Sequence, residues 1–166
     1  MDWKRLIATC LGLGWMPVAP GTWGSLPPVV VFGVLTYCGA PGAATTVVMA
    51  LMLVAGCVAC IVGSPGSIAA VGKEDPGEVV ADEFAGQAVA FLVVPLVATR
   101  GLSGWESLAI AACGFLAFRV IDILKPGPIK RLERLPMGWG ILADDLAAGV
   151  VSAILVYLAM VVLVRG

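Results

Sequence analysis

From Leu6 to Gly72 the chain carries no charged residue. A water-soluble fold cannot build its surface from such a stretch, because soluble domains are about one-quarter charged. Here 13 % of residues are charged, 60 % are hydrophobic and the mean hydropathy is +1.03. The chain therefore reads as an all-α, polytopic membrane protein with a single membrane-embedded domain over residues 1–166. Inside the uncharged stretch the one strong turn signal is Gly39-Ala40-Pro41-Gly42, which separates two spanning candidates at 25–38 and 43–63. Residues 12–25, GLGWMPVAPGTWGS, hold too much Gly and Pro for a regular helix and are expected to form a re-entrant loop, either buried in protein or lining a polar cavity. The basic start and short apolar run of the N-terminus resemble a signal peptide, but Gly12, Gly14 and Pro17 interrupt the run, so mature sequence is expected.

Three more helices follow. Asp75-Pro76-Gly77-Glu78 has the form of a helix start, with Asp at the N-cap, Pro at the first position and Glu at the third. That helix carries Asp82 and Glu83 and continues through the uncharged residues 84–99. Residues 105–124 form the next, and 146–164 the last, with Asp144 and Asp145 at its opening. About five membrane-associated helices result. They put Lys4, Arg5, Lys73, Lys125, Lys130, Arg131 and Arg134 on one side, against Arg100 and Arg165 on the other. The excess of basic residues marks the cytosolic side, and every acidic pair shares it.

Residues 118–149 concentrate nine of the chain's 21 charged residues. Charges near the ends of membrane-length helices cost about 2.5–3.5 kcal/mol each, so they are expected to serve a function. Histidine is absent, which excludes His-nucleophile phosphatases, Ser-His-Asp hydrolases and most zinc sites. Carboxylates, Lys, Arg, hydroxyls and a hard metal remain. Asp82, Glu83, Asp144 and Asp145 suit Mg²⁺, which takes carboxylate oxygens together with water and phosphate. The bland alternative is solvated acids at helix N-termini. Arg119, Asp122 and Lys125 recur on one helix face, and Arg119 and Lys125 are candidates for binding phosphate. Thr22 and Ser25 offer hydroxyls, and the glycines around them free backbone N–H groups for an anion. Lys130, Arg131 and Arg134 are read as contacts to anionic lipids. No basic patch interleaved with aromatics points to nucleic acid, and oligomeric state has no signal.

Two cysteine patterns are rejected. Cys113-x5-Arg119 matches the cysteine-phosphatase spacing, but an apolar helix cannot wrap N–H groups around a phosphate. Cys57-x-x-Cys60 lacks a second ligand pair. All five cysteines are expected to be reduced and structural.

The motifs PVAPGTWGS (17–25), DPGEVVADEFAGQ (75–87), FRVIDILKPGPIKRLER (118–134) and GWGILADDLAAG (138–149) together resemble the phosphatidylglycerophosphatase A family. The resemblance implies an all-helical enzyme of the bacterial cytoplasmic membrane that hydrolyses phosphatidylglycerophosphate to phosphatidylglycerol and phosphate with Mg²⁺. It carries functional weight onto Thr22, Gly24, Ser25, Asp75, Asp82, Glu83, Gly86, Arg119, Asp122, Lys125, Pro126, Asp144 and Asp145. Gly127 departs from the family's frequent aromatic between the prolines of the Lys-Pro-x-Pro turn.

Phosphate-monoester hydrolysis needs up to ~10²¹-fold acceleration, and a metal-activated water is the simplest route without His. The expected roles are catalysis by Asp82, Asp144, Asp145, Arg119 and Asp122, substrate binding by Thr22, Gly24, Ser25, Arg119 and Lys125, and metal binding by Asp82, Glu83, Asp144 and Asp145. The general base stays open among Asp82, Asp144 and Asp145, as does an aspartyl-phosphate intermediate. The rival classes are a cation-coupled transporter, a phosphatidyltransferase and a structural protein. The transporter needs acids near the midplane, the transferase a spaced Asp-Gly-Ala-Arg signature, and the structural reading leaves the acidic pairs without a purpose.

Overall fold

The structure is a computed structural model that describes residues 2–97, 101–133, 135 and 138–165, without the side chains of 96, 97 and 163–165. Its elements in order are α1 (Trp3–Ala8), a 3-10 turn (Leu13–Trp15), α2 (Pro20–Tyr37), α3 (Gly42–Val71), α4 (Ala81–Leu92), α5 (Val94–Val97), α6 (Gly104–Leu124), α7 (Ile129–Leu132) and α8 (Gly138–Arg165). No strand occurs among the described residues, as the all-α expectation requires.

The short helix α4 is the hub, packed against α2, α3, α6 and α8. Eight of its twelve residues are buried. Small residues permit this. Ala81 and Ala85 lie against Gly56 of α3, and Gly86 lies against the Asp145 carbonyl and the Phe118 ring. A side chain at any of these glycines would push the helices apart. At one end of the bundle Phe32 stacks on Phe91 with ring centroids 4.2 Å apart, inside a cluster with Met49, Ile110 and Val156. At the other end Ala8, Cys60, Ala81, Ala85 and Leu142 form a second cluster beneath the charged groups.

Among the described residues three helices, not five, are long and apolar enough to cross a membrane: α3, α6 and residues 138–162 of α8. The other two expected spans fail for separate reasons. The first turns of α2 read PGTWGSLPP, which lowers its apolar content, and the helix is only 18 residues long. The fourth span is broken: α4 ends at Leu92, where Pro95 lacks the N–H that would continue the ladder. Twelve residues reach only about 18 Å, short of a ~30 Å hydrocarbon core. Residues 98–100, including Arg100, lie outside the described residues, as does Arg134.

Lipid-facing character is visible on the outer surface. Val47, Leu51, Val54 and Val58 recur at helical spacing along α3, as do Leu116, Val120 and Ile123 on α6 and Val150, Ile154 and Leu158 on α8, and all are exposed. Stripes of this length would drive a soluble protein to aggregate, whereas acyl chains accept them. The chain is a membrane protein.

The structure departs from the local sequence expectations in three places. The expected re-entrant stretch 12–25 is a left-handed Gly12, a 3-10 turn and the start of α2, with Thr22, Gly24 and Ser25 already helical. Asp75-Pro76-Gly77-Glu78 is a turn closed by Val79 N–H donating to the Pro76 carbonyl at 2.9 Å, and α4 starts later at Ala81. The reason is that Glu78 is drawn to Arg5, as described below. Finally, α8 begins at Gly138, so Asp144 and Asp145 sit in its second turn rather than at its opening.

Candidate active site

The first turn of α4 and the second turn of α8 meet at the charged end of the bundle. One carboxylate oxygen each from Asp82, Glu83 and Asp145 lie within 4.8 Å of one another. Asp82 is 6 % exposed and Asp145 3 %. Asp82 Oδ1, Glu83 Oε2 and Asp145 Oδ2 are buried without a hydrogen-bond partner. Three ionised carboxylates at that spacing repel by about 3–4 kcal/mol per pair at an effective dielectric near 20. The nearest cation, Arg119, stands 4.0 Å from Glu83 and is itself paired with Asp122 at 2.8 Å, so it cannot offset the repulsion alone. Burial, then Glu83 and Asp145, push the Asp82 carboxyl well above its usual range. Burial likewise pushes Glu83 up to about 7, against the opposing pull of an Asp82 hydrogen bond and of Arg119.

This is the donor set a hard cation takes: all oxygen, convergent and carrying unsatisfied lone pairs. The residues present therefore fit Mg²⁺. The solvated-acid alternative does not describe them, since Asp82 and Asp145 are buried and Asp145 is past the first turn of its helix.

Asp144 is placed differently. Successive helix residues point about 100° apart, and the group within 4.8 Å includes Asp145 but not Asp144. Asp144 instead pairs with Lys125, which also holds Glu133 at 2.8 Å. Lys125 caps α6 in the left-handed conformation, with φ 41°, which turns its ammonium back towards α8. Burial opposes the ammonium, but Asp144 and Glu133 outweigh it and the Lys125 pKa is raised.

The third group is built on α6 and α2. Arg119 NH1 donates to Asp122 Oδ2 and, at 3.4 Å, to Ser25 Oγ, while its Nε is buried without a partner. Ser25 is fully buried and its hydroxyl donates to the Gly21 carbonyl at 2.8 Å. Thr22 is half-buried one turn earlier. Gly24 packs on Val80, so it sets the distance between α2 and the start of α4. Thus Ser25, Arg119, Asp122 and Glu83 do come together across 98 residues of sequence. Arg119 and Cys113 share the unbroken α6, so no phosphate-binding loop surrounds that cysteine.

Glu133, Arg5, Glu78 and Trp15 carried no site reading in the sequence, and Gly21 carried one only as a glycine beside Thr22. A Cβ on Gly21 would overlap Glu83 Oε1, so that position must stay bare for the carboxylate to sit where it does. Glu133 holds Lys125 from the far side. Arg5 donates from Nε and NH2 to the two oxygens of Glu78 at 2.6 and 2.7 Å, and Trp15 Nε1 donates to the same carboxylate at 3.3 Å. That clasp, with Val80 N–H donating to the Ala8 carbonyl at 3.0 Å, ties α1 to the backbone entering α4. Only the oppositely charged pair itself signals it, and a separation of 73 positions hides it.

The description phosphatidylglycerophosphatase A belongs to the family whose profile matches residues 6–160. The chain is 32 % identical over 154 residues to phosphatidylglycerophosphatase A of Escherichia coli (strain K12), covering 92 % of this chain and 81 % of that protein. It is 33 % identical to the Haemophilus influenzae (strain ATCC 51907 / DSM 11121 / KW20 / Rd) protein of the same name, covering 92 % and 86 %. It is also 34 % identical over 158 residues to a putative phosphatidylinositol-3-phosphatase of Bacteroides thetaiotaomicron (strain ATCC 29148 / DSM 2079 / JCM 5827 / CCUG 10774 / NCTC 10582 / VPI-5482 / E50), covering 93 % and 91 %. No solved structure matches the chain.

Proposed function

The chain belongs to the phosphatidylglycerophosphatase A family, a phosphatase family, and from that premise we propose that it hydrolyses phosphatidylglycerophosphate to phosphatidylglycerol and phosphate, with Mg²⁺, at the cytosolic face of the bacterial cytoplasmic membrane. The observation that carries the reading is the convergence of three carboxylates, each with a buried oxygen lacking a hydrogen-bond partner, beside a guanidinium with a free, buried N–H. Both lipids named for the relatives are phosphate monoesters on hydroxylated, amine-free headgroups.

Asp82, Glu83 and Asp145 would hold the metal, which when bound supplies charge neutralisation and lowers the pKa of water. Arg119 binds the phosphoryl oxygens with the N–H groups its partners leave unused, and planar guanidinium matches them in pairs. Asp122, 2.8 Å from Arg119, holds the guanidinium in register. Ser25 Oγ presents its hydroxyl at the same nitrogen, and the first turn of α2 around Thr22 and Gly24 forms the wall behind it. Lys125, anchored between Asp144 and Glu133, adds positive charge at the rim. A buried carboxylate of the set takes the proton from the attacking water.

Orientation is supported by Arg5, paired with Glu78 ahead of α4, by Lys125, paired with Asp144 and Glu133, and by Lys130 and Arg131 on α7, a basic excess of the kind the positive-inside rule expects of a cytosolic face. Lys130 and Arg131 on α7 are exposed and suited to anionic headgroups. The transporter alternative loses support because the acids gather at one end of the bundle and not at its middle.

Phosphate release from purified protein and phosphatidylglycerophosphate tests the reading. Release with Mg²⁺ and none with EDTA is expected. Faster release from phosphatidylinositol 3-phosphate would reassign the substrate, and full activity in EDTA would remove the metal from the reaction.

A further inference from the structure

An arm of residues 2–18, made of α1 and the 3-10 turn, precedes the membrane-length helices. It is fastened to the site end of the bundle, yet its outer surface is apolar. Trp3 is 60 % exposed, Leu11 79 % and Val18 73 %, and residues 15–19, WMPVA, are five consecutive exposed positions. In water such a surface invites aggregation, whereas the boundary between acyl chains and headgroups accepts it. The depth of the arm is set by α3. A Cβ on Gly63 would press into the Lys4 carbonyl and Ala8, so α1 packs directly on α3 there. Gly63 stands about 32 Å of helix rise beyond Gly42, where α3 starts, and the hydrocarbon core is ~30 Å thick. That places α1 at the edge of the core on the site's side. The tryptophans agree: Trp3, Trp15, Trp23 and Trp139 are all exposed at this end, and tryptophan favours the interface.

The same arm holds the start of α4, which has no side-chain cap of its own. Val80, two residues ahead of Asp82, donates its N–H to the Ala8 carbonyl at 3.0 Å, and its carbonyl accepts from the Cys10 thiol at 3.7 Å. A Cβ on Gly14 would overlap the Glu78 carbonyl, so the two backbones touch. Trp15 joins the outer surface to this bracket. Its ring is exposed, its indole N–H donates to Glu78 Oε2 at 3.3 Å, and the Arg5 guanidinium stands 6.0 Å from the ring centroid. We propose that the arm is a lipid-contact element: Trp3, Leu11, Trp15, Met16 and Val18 seat in the leaflet on the site's side, and that seating, passed through Glu78 and Val80, fixes the first turn of α4 where Asp82 and Glu83 meet Asp145. Arg5, Trp15 and Glu78 are then positioning residues, which hold the metal-binding turn without touching metal or phosphate. The effect on metal rests on the Mg²⁺ reading above; the contact with lipid rests on the arm's own surface.

Two measurements on full-length protein in phosphatidylcholine nanodiscs test it. The first uses a variant that keeps Trp15 alone, with the other four tryptophans, all exposed, replaced by Phe. Lipids brominated along the acyl chain are expected to quench its fluorescence by roughly half, and aqueous iodide by far less. Quenching by iodide alone would put the arm in water, and protection from both would mean that a second copy or another protein covers it; either result overturns the proposal. Should that variant fail to fold, the difference between wild type and Trp15→Phe gives the same reading. The second measurement is Mg²⁺ binding by calorimetry. Glu78→Gln and Val18→Glu are each expected to raise Kd about tenfold at unchanged stoichiometry, the lower end of what losing a group behind a metal ligand costs. The charge added in Val18→Glu would by itself attract Mg²⁺, so weaker binding there reports the lost seating. An unchanged Kd in either variant overturns the proposal, and so does a lower stoichiometry at wild-type Kd, which is a folding defect alone. Failure of the Mg²⁺ reading looks different: wild-type protein would bind no Mg²⁺. Amide exchange at Val80 then decides the coupling, with exchange about tenfold faster in both variants expected and an unchanged rate overturning it.

Discussion

Two acidic dipeptides, Asp82-Glu83 and Asp144-Asp145, look interchangeable in the sequence and have been put to different uses. In the first, both carboxylates reach one centre. In the second, Asp145 joins that centre and Asp144 turns to Lys125. The helix imposes the same 100° step on both pairs. The first pair overcomes it because Glu83 has one more methylene, which lets its carboxylate swing back towards that of Asp82. In the second pair Asp144 is held instead by Lys125, which the left-handed cap of α6 presents. A pair of adjacent acids is therefore evidence of a charged site, while its side-chain lengths decide how many of the two can serve one ion.

The most direct attempt to break this distinction is to neutralise each aspartate of the second pair. Asp145→Asn should cost several kcal/mol of transition-state stabilisation, about 10³-fold in turnover, and abolish Mg²⁺ binding by calorimetry. Asp144→Asn should leave Mg²⁺ affinity unchanged and lower turnover about 10- to 100-fold through loss of the Lys125 anchor. Equal loss of Mg²⁺ binding in both variants would mean the two aspartates act as one ligand pair.

Reach is examined next by Glu83→Asp, which keeps the charge and removes one methylene. Mg²⁺ affinity should fall about 10- to 100-fold, the size of effect expected when a ligand is held off its best position. Unchanged affinity would show that side-chain length is irrelevant to the first pair. The smallest effect is on stability without metal. Glu83 has a folded pKa of about 7 against an ordinary 4.5, so the folded state favours its protonated form. Its contribution is fully present below pH 4.5 and is lost as pH rises through about 7. Thermal midpoints in EDTA should therefore fall across that window, and Mg²⁺ should flatten the profile. A midpoint rising with pH in EDTA would reverse the sign and show that the acids are compensated by protein groups.

Much of the molecule was legible in the residues. The turn at Gly39-Ala40-Pro41-Gly42 separates α2 from α3, and 105–124 differs from α6 by one residue at its start. The uncharged run 84–99 has the composition of a span, but Pro95 lacks the N–H that a continuous helix needs, and α4 ends at Leu92. Asp75-Pro76-Gly77-Glu78 satisfied every local rule for a helix start and still became a turn. A bidentate pair with Arg5, 73 residues away, outweighed a capping preference typically worth about 1 kcal/mol.

What the sequence determined by itself was the solvent and the chemistry. An uncharged stretch from Leu6 to Gly72 fits only a membrane protein, and a chain without histidine that groups its acids in pairs is suited to hard-cation, oxygen-ligand chemistry. Periodicity and turn residues then placed most helices, because those signals act over a few residues. The division of labour among the acids was decided by tertiary structure alone. Asp144 and Asp145 differ by the direction each faces from α8, Ser25 and Arg119 meet only because α2 packs on α6, and Glu83 has room only because Gly21 lacks a side chain. Each of these depends on distances between segments remote in sequence, which no local propensity encodes and which the small residues on α4 set by how closely its neighbours approach.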